Sequence, residues 1–399
     1  MKEVRSKMID YTKLLNETAV DIKPSGIRKY FDIAATLDDV ISLGIGEPDF
    51  YTPWPIRQAA IKALERGKTF YTSNAGMIKL REAISDYTAL KTGVRYNPAH
   101  EIIVTVGGSE AIDLAIRTIV SQQDEVIIPE PSFVCYKPIV LLSGGVPVPI
   151  KTSEGHSFKL TADSLKAAIT PRTKLLILPY PNNPTGAIMT KEDLEPIAEI
   201  LRGTNIAVLT DEIYSELTYG RQHFSIIGLD GMRERTIYVN GFSKAFSMTG
   251  WRLGYMCAPE EILKHSLKIH QYGIMSSPTV SQYAAIEALT ACEEDVKMMV
   301  SEYDMRRKYL VNAFNSLGLH CFTPEGAFYV FPSIKSTGLS SDEFCERLLY
   351  HKRVAVIPGN AFGDCGEGFV RVSYAYSINH LREAIERISE FLTELKGNG

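Results

Sequence analysis

Lys244 and Arg252 lie eight residues apart just after an apolar run, in the stretch TIYVNGFSKAFSMTGWRLGYMCAP (236–259). Residues 236–239 are β-branched or aromatic and predict a buried strand. The chain then becomes polar and glycine-rich, supplies the lysine and the arginine, and enters a second apolar run. An amine can bind a carbonyl carbon covalently and a guanidinium can bind a phosphate, so this pair could hold one phosphorylated aldehyde.

Four other apolar runs also end in groups that could bind or react with a small molecule. EIIVTV is followed by GGSE, DEVIIP by EPSFVCY, LLILPY by PNNPTG, and IAVL by TDEIY. In chain order these segments contribute Gly108, Ser109, Glu110, Phe133, Asn183, Asp211 and Tyr214. Taken singly, each segment has an ordinary structural explanation as a turn or a helix cap. Together they predict one site, because ligands of open α/β sheets bind at the carboxyl ends of the strands.

These groups meet the requirements of a phosphorylated, aromatic, aldehyde-bearing cofactor. The N-terminus of a helix and an arginine bind the phosphate, and an aromatic side chain covers a flat ring. A lysine forms a Schiff base with the aldehyde, and a carboxylate keeps a pyridine nitrogen protonated. The pattern therefore predicts pyridoxal 5′-phosphate (PLP) as the cofactor.

The elements that must position these residues follow from the spacing of apolar runs. Between residues 100 and 258, six short runs rich in Val, Ile and Leu alternate with helical stretches at 109–121, 161–168 and 191–202. This alternation predicts an α/β fold with a mostly parallel sheet covered on both faces. The last hundred residues differ: a long helix at 293–317, three short runs (GAFYVFP, VAVIPG and FVRVSYA) and a final amphipathic helix predict a smaller α+β domain.

Length and composition set the limits of the interpretation. A chain of 399 residues is too long to fold around a single hydrophobic core. We expect an N-terminal arm that also joins the small domain (1–45), a large domain (46–290) and a small C-terminal domain (291–399). The net charge of −4 offers no basic field for nucleic acid, and no apolar run reaches the roughly 18 residues of a membrane helix. The six cysteines form no CxxC pair and the eight histidines no HxxxH group, which predicts a cytoplasmic protein without a metal site.

The sequence resembles the class I/II aminotransferases of the PLP fold-type I superfamily. The resemblance covers essentially the whole chain and rests on SLGIGEPDF, YTSNAGMIKLREA, PNNPTG, TDEIY, SKAFSMTGWRLG and FVRVSYA, which follow one another in family order. SGIRKYFDIAA and GAFYVFPSI place it nearest the archaeal aromatic aminotransferases and the bacilli-type aspartate or N-acetyl-diaminopimelate aminotransferases. The resemblance implies a large domain with a mostly parallel seven-stranded sheet between helices, a smaller α+β domain, and a homodimer.

The resemblance also implies a role for each site residue. Lys244 would form the Schiff base with PLP and carry protons, Asp211 would pair with the pyridine nitrogen, and Arg252 would bind the phosphate. The remaining cofactor contacts would be Tyr214 and Asn183 at the phenolic oxygen, Phe133 on the ring, Gly108, Ser109, Glu110 and Ser243 around the phosphate, and Tyr71 from across the dimer interface. Arg371 would bind the substrate carboxylate, with help from Gly46 and Asn183.

The predicted reaction is a ping-pong transamination in which an L-amino acid gives its amino group to PLP and a 2-oxo acid, such as 2-oxoglutarate, receives it. Ile27 and nearby apolar residues favour an aromatic donor, whereas Arg28 and Lys29 could serve an acidic one if they point inward. Aspartate, alanine and N-acetyl-diaminopimelate remain alternatives, as does a PLP-dependent β-lyase on the same scaffold. A ligand-sensing regulator is disfavoured, because the residues before SLGIGEPDF are too few and not basic enough for a DNA-binding domain.

Overall fold

A computed structural model describes residues 9–24 and 26–397. Its α-helices are α1 (Tyr11–Leu14), α2 (Glu17–Asp21), α3 (Gly26–Ala34), α4 (Trp54–Glu65), α5 (Ile78–Thr92), α6 (Gly108–Ile119), α7 (Tyr136–Leu142), α8 (Ala162–Ala168), α9 (Lys191–Leu201), α10 (Glu260–Gly273), α11 (Thr279–Ala291), α12 (Glu293–Ser316), α13 (Ser341–Lys352) and α14 (Ile378–Gly397). Its strands are β1 (Ile41–Ser42), β2 (Ile102–Thr105), β3 (Glu125–Glu130), β4 (Val146–Lys151), β5 (Thr173–Leu178), β6 (Ala207–Asp211), β7 (Thr236–Gly241), β8 (Gly254–Cys257), β9 (Tyr329–Val330), β10 (Val354–Ala355), β11 (Ile357–Pro358) and β12 (Val370–Ser373).

Seven strands form one sheet in the order β2-β8-β7-β6-β5-β3-β4. The pairs β3–β4, β3–β5, β5–β6 and β6–β7 are parallel, and only β8 runs antiparallel to its neighbours β2 and β7. All six predicted runs are strands, and the second apolar run after Arg252 supplies β8, so the mostly parallel seven-stranded sheet is confirmed. The prolines Pro147 and Pro149 lie on β4, an edge strand of the sheet. Proline is tolerated there because its missing backbone N–H can face away from the neighbouring strand and so removes no hydrogen bond between strands.

The sheet divides the core into two apolar layers, because successive side chains of a strand point to opposite faces. Along β2, Ile102 and Val104 join one buried cluster and Ile103 joins the other, and the same alternation recurs along β5. Helices α6, α7 and α10 cover one face, whereas α4, α5, α8, α9 and α11 cover the other. A sheet buried on both faces explains why its strands are continuous apolar runs.

The C-terminal part has its own small sheets. β9, β12 and β11 form an antiparallel three-stranded sheet, helices α12 and α13 pack against it, and α14 packs against these two helices and β10. The N-terminal segment reaches this part: β1 pairs with β10, and the Tyr30 hydroxyl of α3 donates to Asp342 Oδ1 at 2.8 Å. The segment boundaries at residues 45 and 290 stay a prediction.

The helix predictions agree with the structure to within two residues at most ends. The predicted stretches 109–121, 161–168, 191–202 and 293–317 correspond to α6, α8, α9 and α12. Within the described part of the chain, no helix combines the length and the apolarity needed to cross a bilayer.

Candidate active site

A cavity of about 310 Å³ opens at the carboxyl ends of β5, β6 and β7. It also reaches the N-terminus of α6, the side of α3 and the strand β12. The predicted site residues that line it are Gly46, Gly108, Ser109, Phe133, Asn183, Asp211, Tyr214, Ser243, Lys244, Arg252 and Arg371. The fold thus brings together residues from position 46 to position 371 around one cavity.

Lys244 lies in the loop that leaves β7, and its amine faces the cavity. Its Nζ donates to the Gly46 carbonyl oxygen at 2.7 Å. Burial, aided by the nearby charges of Arg371 and Arg252 and opposed by Glu47, lowers the pKa of Lys244 to about 8. An amine must be neutral to attack a carbonyl carbon, so this environment favours a nucleophilic lysine.

Asp211 is the last residue of β6 and is buried beside the same cavity. Its Oδ2 accepts from the Tyr136 hydroxyl at 2.7 Å, and its Oδ1 accepts from the Ile213 N–H at 3.3 Å. Burial raises the pKa of Asp211 to about 6, although the hydrogen bond from Tyr136 opposes this rise. Tyr136 was not singled out from the sequence; its only signal was its place in EPSFVCY, three residues after Phe133.

The N-terminus of α6 and Arg252 together form a positively charged corner of the cavity. Gly107 precedes α6 with φ = 80°, and among the described residues no side chain caps this helix end. An added Cβ at Gly107 would lie 2.6 Å from Arg252 Nη2, so only glycine lets the guanidinium come this close. Ser109 and Ser243 add hydroxyl groups to the lining. Such a corner suits a phosphate.

Glu110, in the first turn of α6, does not line the cavity. Its Oε1 lies 2.6 Å from Nδ1 of the buried His270 on α10, and its Oε2 accepts from the Val106 N–H. These contacts hold the carboxylate away from the positive corner. A contact of the Glu110 backbone N–H with the phosphate stays a prediction.

Arg371 on β12 is a buried cation with spare hydrogen-bonding capacity. Its Nη1 donates to Asn183 Oδ1 at 2.9 Å, and its Nη2 donates to the Gly44 carbonyl oxygen. Its Nε has no partner within residues 9–24 and 26–397, and no carboxylate there pairs with the guanidinium. The rings of Tyr329 and Phe362 flank it, with centroids 4.6 and 4.8 Å from Cζ. A buried guanidinium without a counter-ion is suited to bind a carboxylate.

Tyr214 and Tyr329 meet at the cavity wall between Lys244 and Arg371. Their hydroxyl oxygens are 2.9 Å apart, and both side chains are buried. Tyr329 was missed as a site residue, since GAFYVFP was interpreted as a short apolar run of the small domain and as part of a family motif.

The side of the cavity facing α3 is apolar. Ile27 and Phe31 of this helix line it, and Phe133 lies in the same lining. Arg28 forms an ion pair with an acidic residue of its own helix, and Lys29 forms one with an acidic residue of α13. Neither cation belongs to the cavity lining.

Tyr71 is the one predicted side chain that lies well outside the cavity. Its side chain is 84% exposed and contributes to a separate surface depression beside α5 and α11. Within a single chain it therefore does not meet the other site residues.

The residues present fit PLP. The uncapped start of α6 beside Arg252 suits its phosphate, the buried Asp211 suits its pyridine nitrogen, and Lys244 suits its aldehyde. The Nε of Arg371, which has no partner among the described residues, leaves a second anion site for a substrate carboxylate.

Comparisons with known proteins agree with this chemistry. The family described as "Aminotransferase class I and II" matches residues 38–388. The chain is 47% identical to an aspartate aminotransferase of Pyrococcus abyssi and 45% identical to aromatic-amino-acid aminotransferase 2 of Thermococcus litoralis, covering 94% of this chain and 97% of each relative. The crystal structure of an aromatic aminotransferase from Pyrococcus horikoshii superposes with a TM-score of 0.88 at 45% identity, over 93% of this chain and 99% of that one. The chain thus belongs to the class I and II aminotransferases and is a PLP-dependent transaminase of fold type I.

Proposed function

We propose that this transaminase takes the amino group of an aromatic L-amino acid and passes it to a 2-oxo acid such as 2-oxoglutarate in a ping-pong reaction. The observation that carries the choice of donor is the apolar wall formed by Ile27, Phe31 and Phe133. An aromatic side chain would gain free energy by burial there. An acidic side chain would need a cation, and Arg28 and Lys29, the two candidates from the sequence of α3, already pair elsewhere.

The cofactor contacts that we propose divide among three groups of residues. The phosphate would be held by the start of α6 at Gly108, Ser109 and the Glu110 N–H, with Ser243 and Arg252. Asp211 would pair with the pyridine nitrogen, and the Tyr136 hydroxyl would hold its carboxylate in place. Phe133 would lie on the ring, and Tyr214 and Asn183 would bind the phenolic oxygen.

When bound, PLP supplies an aldehyde carbon that accepts the amino group and a protonated ring that accepts electrons from the substrate Cα. The protein then has to orient the substrate and move one proton. Arg371, with Asn183 and the backbone of Gly46, would fix the α-carboxylate. The neutral Lys244 Nζ would take the Cα proton and later return it to the cofactor carbon, so one residue acts as base and then as acid. The buried walls would keep water away from this transfer.

We also propose that the protein is a cytoplasmic homodimer with shared active sites. Several large apolar side chains are exposed on the single chain: Tyr51, Trp54, Phe70, Tyr71, Tyr272, Ile274 and Met275. Burial of these side chains by a second copy would remove a large apolar surface from water. The six cysteines are all free thiols, which favours a reducing compartment.

Absorbance spectroscopy of the PLP-loaded protein tests the donor. Single L-amino acids are added without any 2-oxo acid, and loss of the band of lysine-linked PLP is followed with time. We expect phenylalanine or tyrosine to react fastest. A faster response to aspartate, alanine or N-acetyl-diaminopimelate would replace the aromatic donor and leave the transaminase chemistry in place.

Two controls sharpen this experiment. Arg28→Ala should leave every rate unchanged if that side chain stays outside the site, whereas a selective loss of the aspartate rate would assign it to an acidic substrate. Release of ammonia with each turnover would indicate β-elimination instead of transamination.

A further inference from the structure

Tyr329 shares a small sheet with Arg371. On β9 it lies opposite Ser373 of β12, two residues from Arg371 on the same strand, so both side chains project from the same face. The ring centroid of Tyr329 lies 4.6 Å from the guanidinium carbon of Arg371. An aromatic face at this distance stabilises a buried cation and limits its rotation.

The hydroxyl end of Tyr329 makes a different set of contacts. It lies 2.9 Å from the Tyr214 hydroxyl. An added Cβ at Gly46 would lie only 2.2 Å from the Tyr329 oxygen, so Gly46 leaves the room that this hydroxyl occupies. The carbonyl of the same glycine accepts from Lys244. One side chain thus contacts the proposed carboxylate site at its ring and the proposed cofactor site at its tip.

The direction of the hydrogen bond between the two tyrosines follows from what Tyr214 has to do. A hydroxyl that donates its proton to the phenolic oxygen of PLP can still accept one at its own oxygen. Tyr329 is positioned to donate to that oxygen. A donor chain of this kind strengthens the final hydrogen bond, because each bond polarises the next.

We propose that Tyr329 is a positioning residue that aligns Arg371 through its ring and directs the proton of Tyr214 through its hydroxyl. This inference rests on the proposed roles of Tyr214 and Arg371. It separates into two parts that different substitutions can test.

The hydroxyl is tested with Tyr329→Phe in the PLP-loaded enzyme, by following the pH at which the visible band of bound PLP changes. A weaker Tyr214 donor stabilises the ionised phenolic oxygen of bound PLP less. The apparent pKa read from the change of the band should therefore rise by a few tenths of a pH unit. The KM for the amino donor should stay within about twofold, since the ring beneath Arg371 remains. Tyr374→Phe is the matched control: it removes a buried hydroxyl that donates to Ala327 at 3.1 Å outside the cavity and should leave the band unchanged.

A double-mutant cycle with Tyr214→Phe shows whether the effect passes through Tyr214. Tyr214→Phe alone should raise the pKa of the band more than Tyr329→Phe does, and the double variant should equal Tyr214→Phe alone. Additive shifts, or no shift in Tyr329→Phe, would overturn the proposed role of the Tyr329 hydroxyl. No shift in Tyr214→Phe would remove the proposed role of Tyr214 itself, and this part of the inference with it.

The ring is tested with Tyr329→Leu. Loss of the aromatic face should raise the KM for the amino donor about fivefold relative to Tyr329→Phe. Equal KM values in the two variants would show that the ring does not align Arg371. The midpoint of thermal unfolding, measured alongside, separates this effect from a loss of folded protein.

Discussion

At the level of single residues, burial moves two pKa values in opposite directions within one cavity. It lowers the pKa of Lys244 to about 8 and raises the pKa of Asp211 to about 6, because a low-dielectric site disfavours both charged forms. Each shift costs folding free energy when the cofactor is absent. A protonated pyridine nitrogen beside Asp211 and a covalent bond at Lys244 would relieve both costs.

The cost at Lys244 can be measured in the PLP-free protein. The folded pKa of about 8 lies below the unfolded value of 10.5, so between these pH values the unfolded chain holds a proton that the folded chain lacks. The stability of the wild type should therefore rise with pH across this window, and the full cost should apply below pH 8. Lys244→Met should stabilise the PLP-free protein by about 3 kcal/mol at pH 7, and the gain should vanish above pH 10.5.

Urea unfolding of the PLP-free proteins at several pH values measures this difference. Lys166→Met, at an exposed position of α8, is the control and should change stability by less than about 0.5 kcal/mol. A Lys244→Met variant no more stable than the wild type at pH 7 would mean that the amine is solvated in the PLP-free protein.

At the level of elements, glycines allow β8 to pack closely against the turn between β2 and α6. An added Cβ at Gly254, the first residue of β8, would lie 2.6 Å from the backbone carbon of Gly107. Gly107 in turn has a left-handed φ and leaves room for the Arg252 guanidinium. Two close backbone approaches thus place the helix start and the arginine at one corner.

Gly107→Ala should weaken PLP binding by at least about tenfold, because its methyl group displaces Arg252 from the helix start. Gly93→Ala is a control for a positive φ without a steric contact: its φ is 77° and nothing lies within 4 Å of an added Cβ, although its ψ of −2° differs from the 169° of Gly107. Gly93→Ala should lose about 1 kcal/mol of stability from backbone strain, and Gly107→Ala should lose more, because residues other than glycine rarely adopt its φ and ψ. Titration of the PLP-free proteins with PLP compares them, and equal dissociation constants would exclude the steric effect on Arg252.

At the level of the whole molecule, the position of Tyr71 requires a second copy if this residue binds the phosphate. Its side chain is 84% exposed and lies outside the cavity of its own chain. Phe70, in the same surface depression, is exposed as well. A shared site would make cofactor binding depend on assembly.

Mixed dimers test this arrangement. Lys244→Ala and Tyr71→Ala should each be impaired alone, since one lacks the amine and the other lacks the partner's contact. Co-refolded subunits should regain about a quarter of the wild-type activity at limiting PLP, because half of the dimers would contain one complete site. Mixing Lys244→Ala with the Lys244→Ala/Tyr71→Ala variant is the control and should restore nothing. Absence of rescue in the first mixture would show that Tyr71 does not act across the interface.

Much of the fold and part of the site could be predicted from the sequence alone. Residue type and local spacing determined the six apolar strands, the long helices, and the placement of Lys244, Asp211 and the GGSE turn after strand ends. These predictions succeed because each depends on neighbours within a few residues. The parallel sheet then brings the strand ends together without further information.

Only the tertiary structure decided which distant side chains contact one another. Arg371 meets Asn183 across 188 positions of sequence, Tyr214 meets Tyr329 across 115, and Tyr136 meets Asp211 across 75. It also decided that β8 enters the sheet between β2 and β7, and that Tyr71 lies apart from the other site residues. The reason is physical: local periodicity specifies an element and its buried face, whereas contacts between elements depend on strand order and packing, which no short stretch of sequence contains.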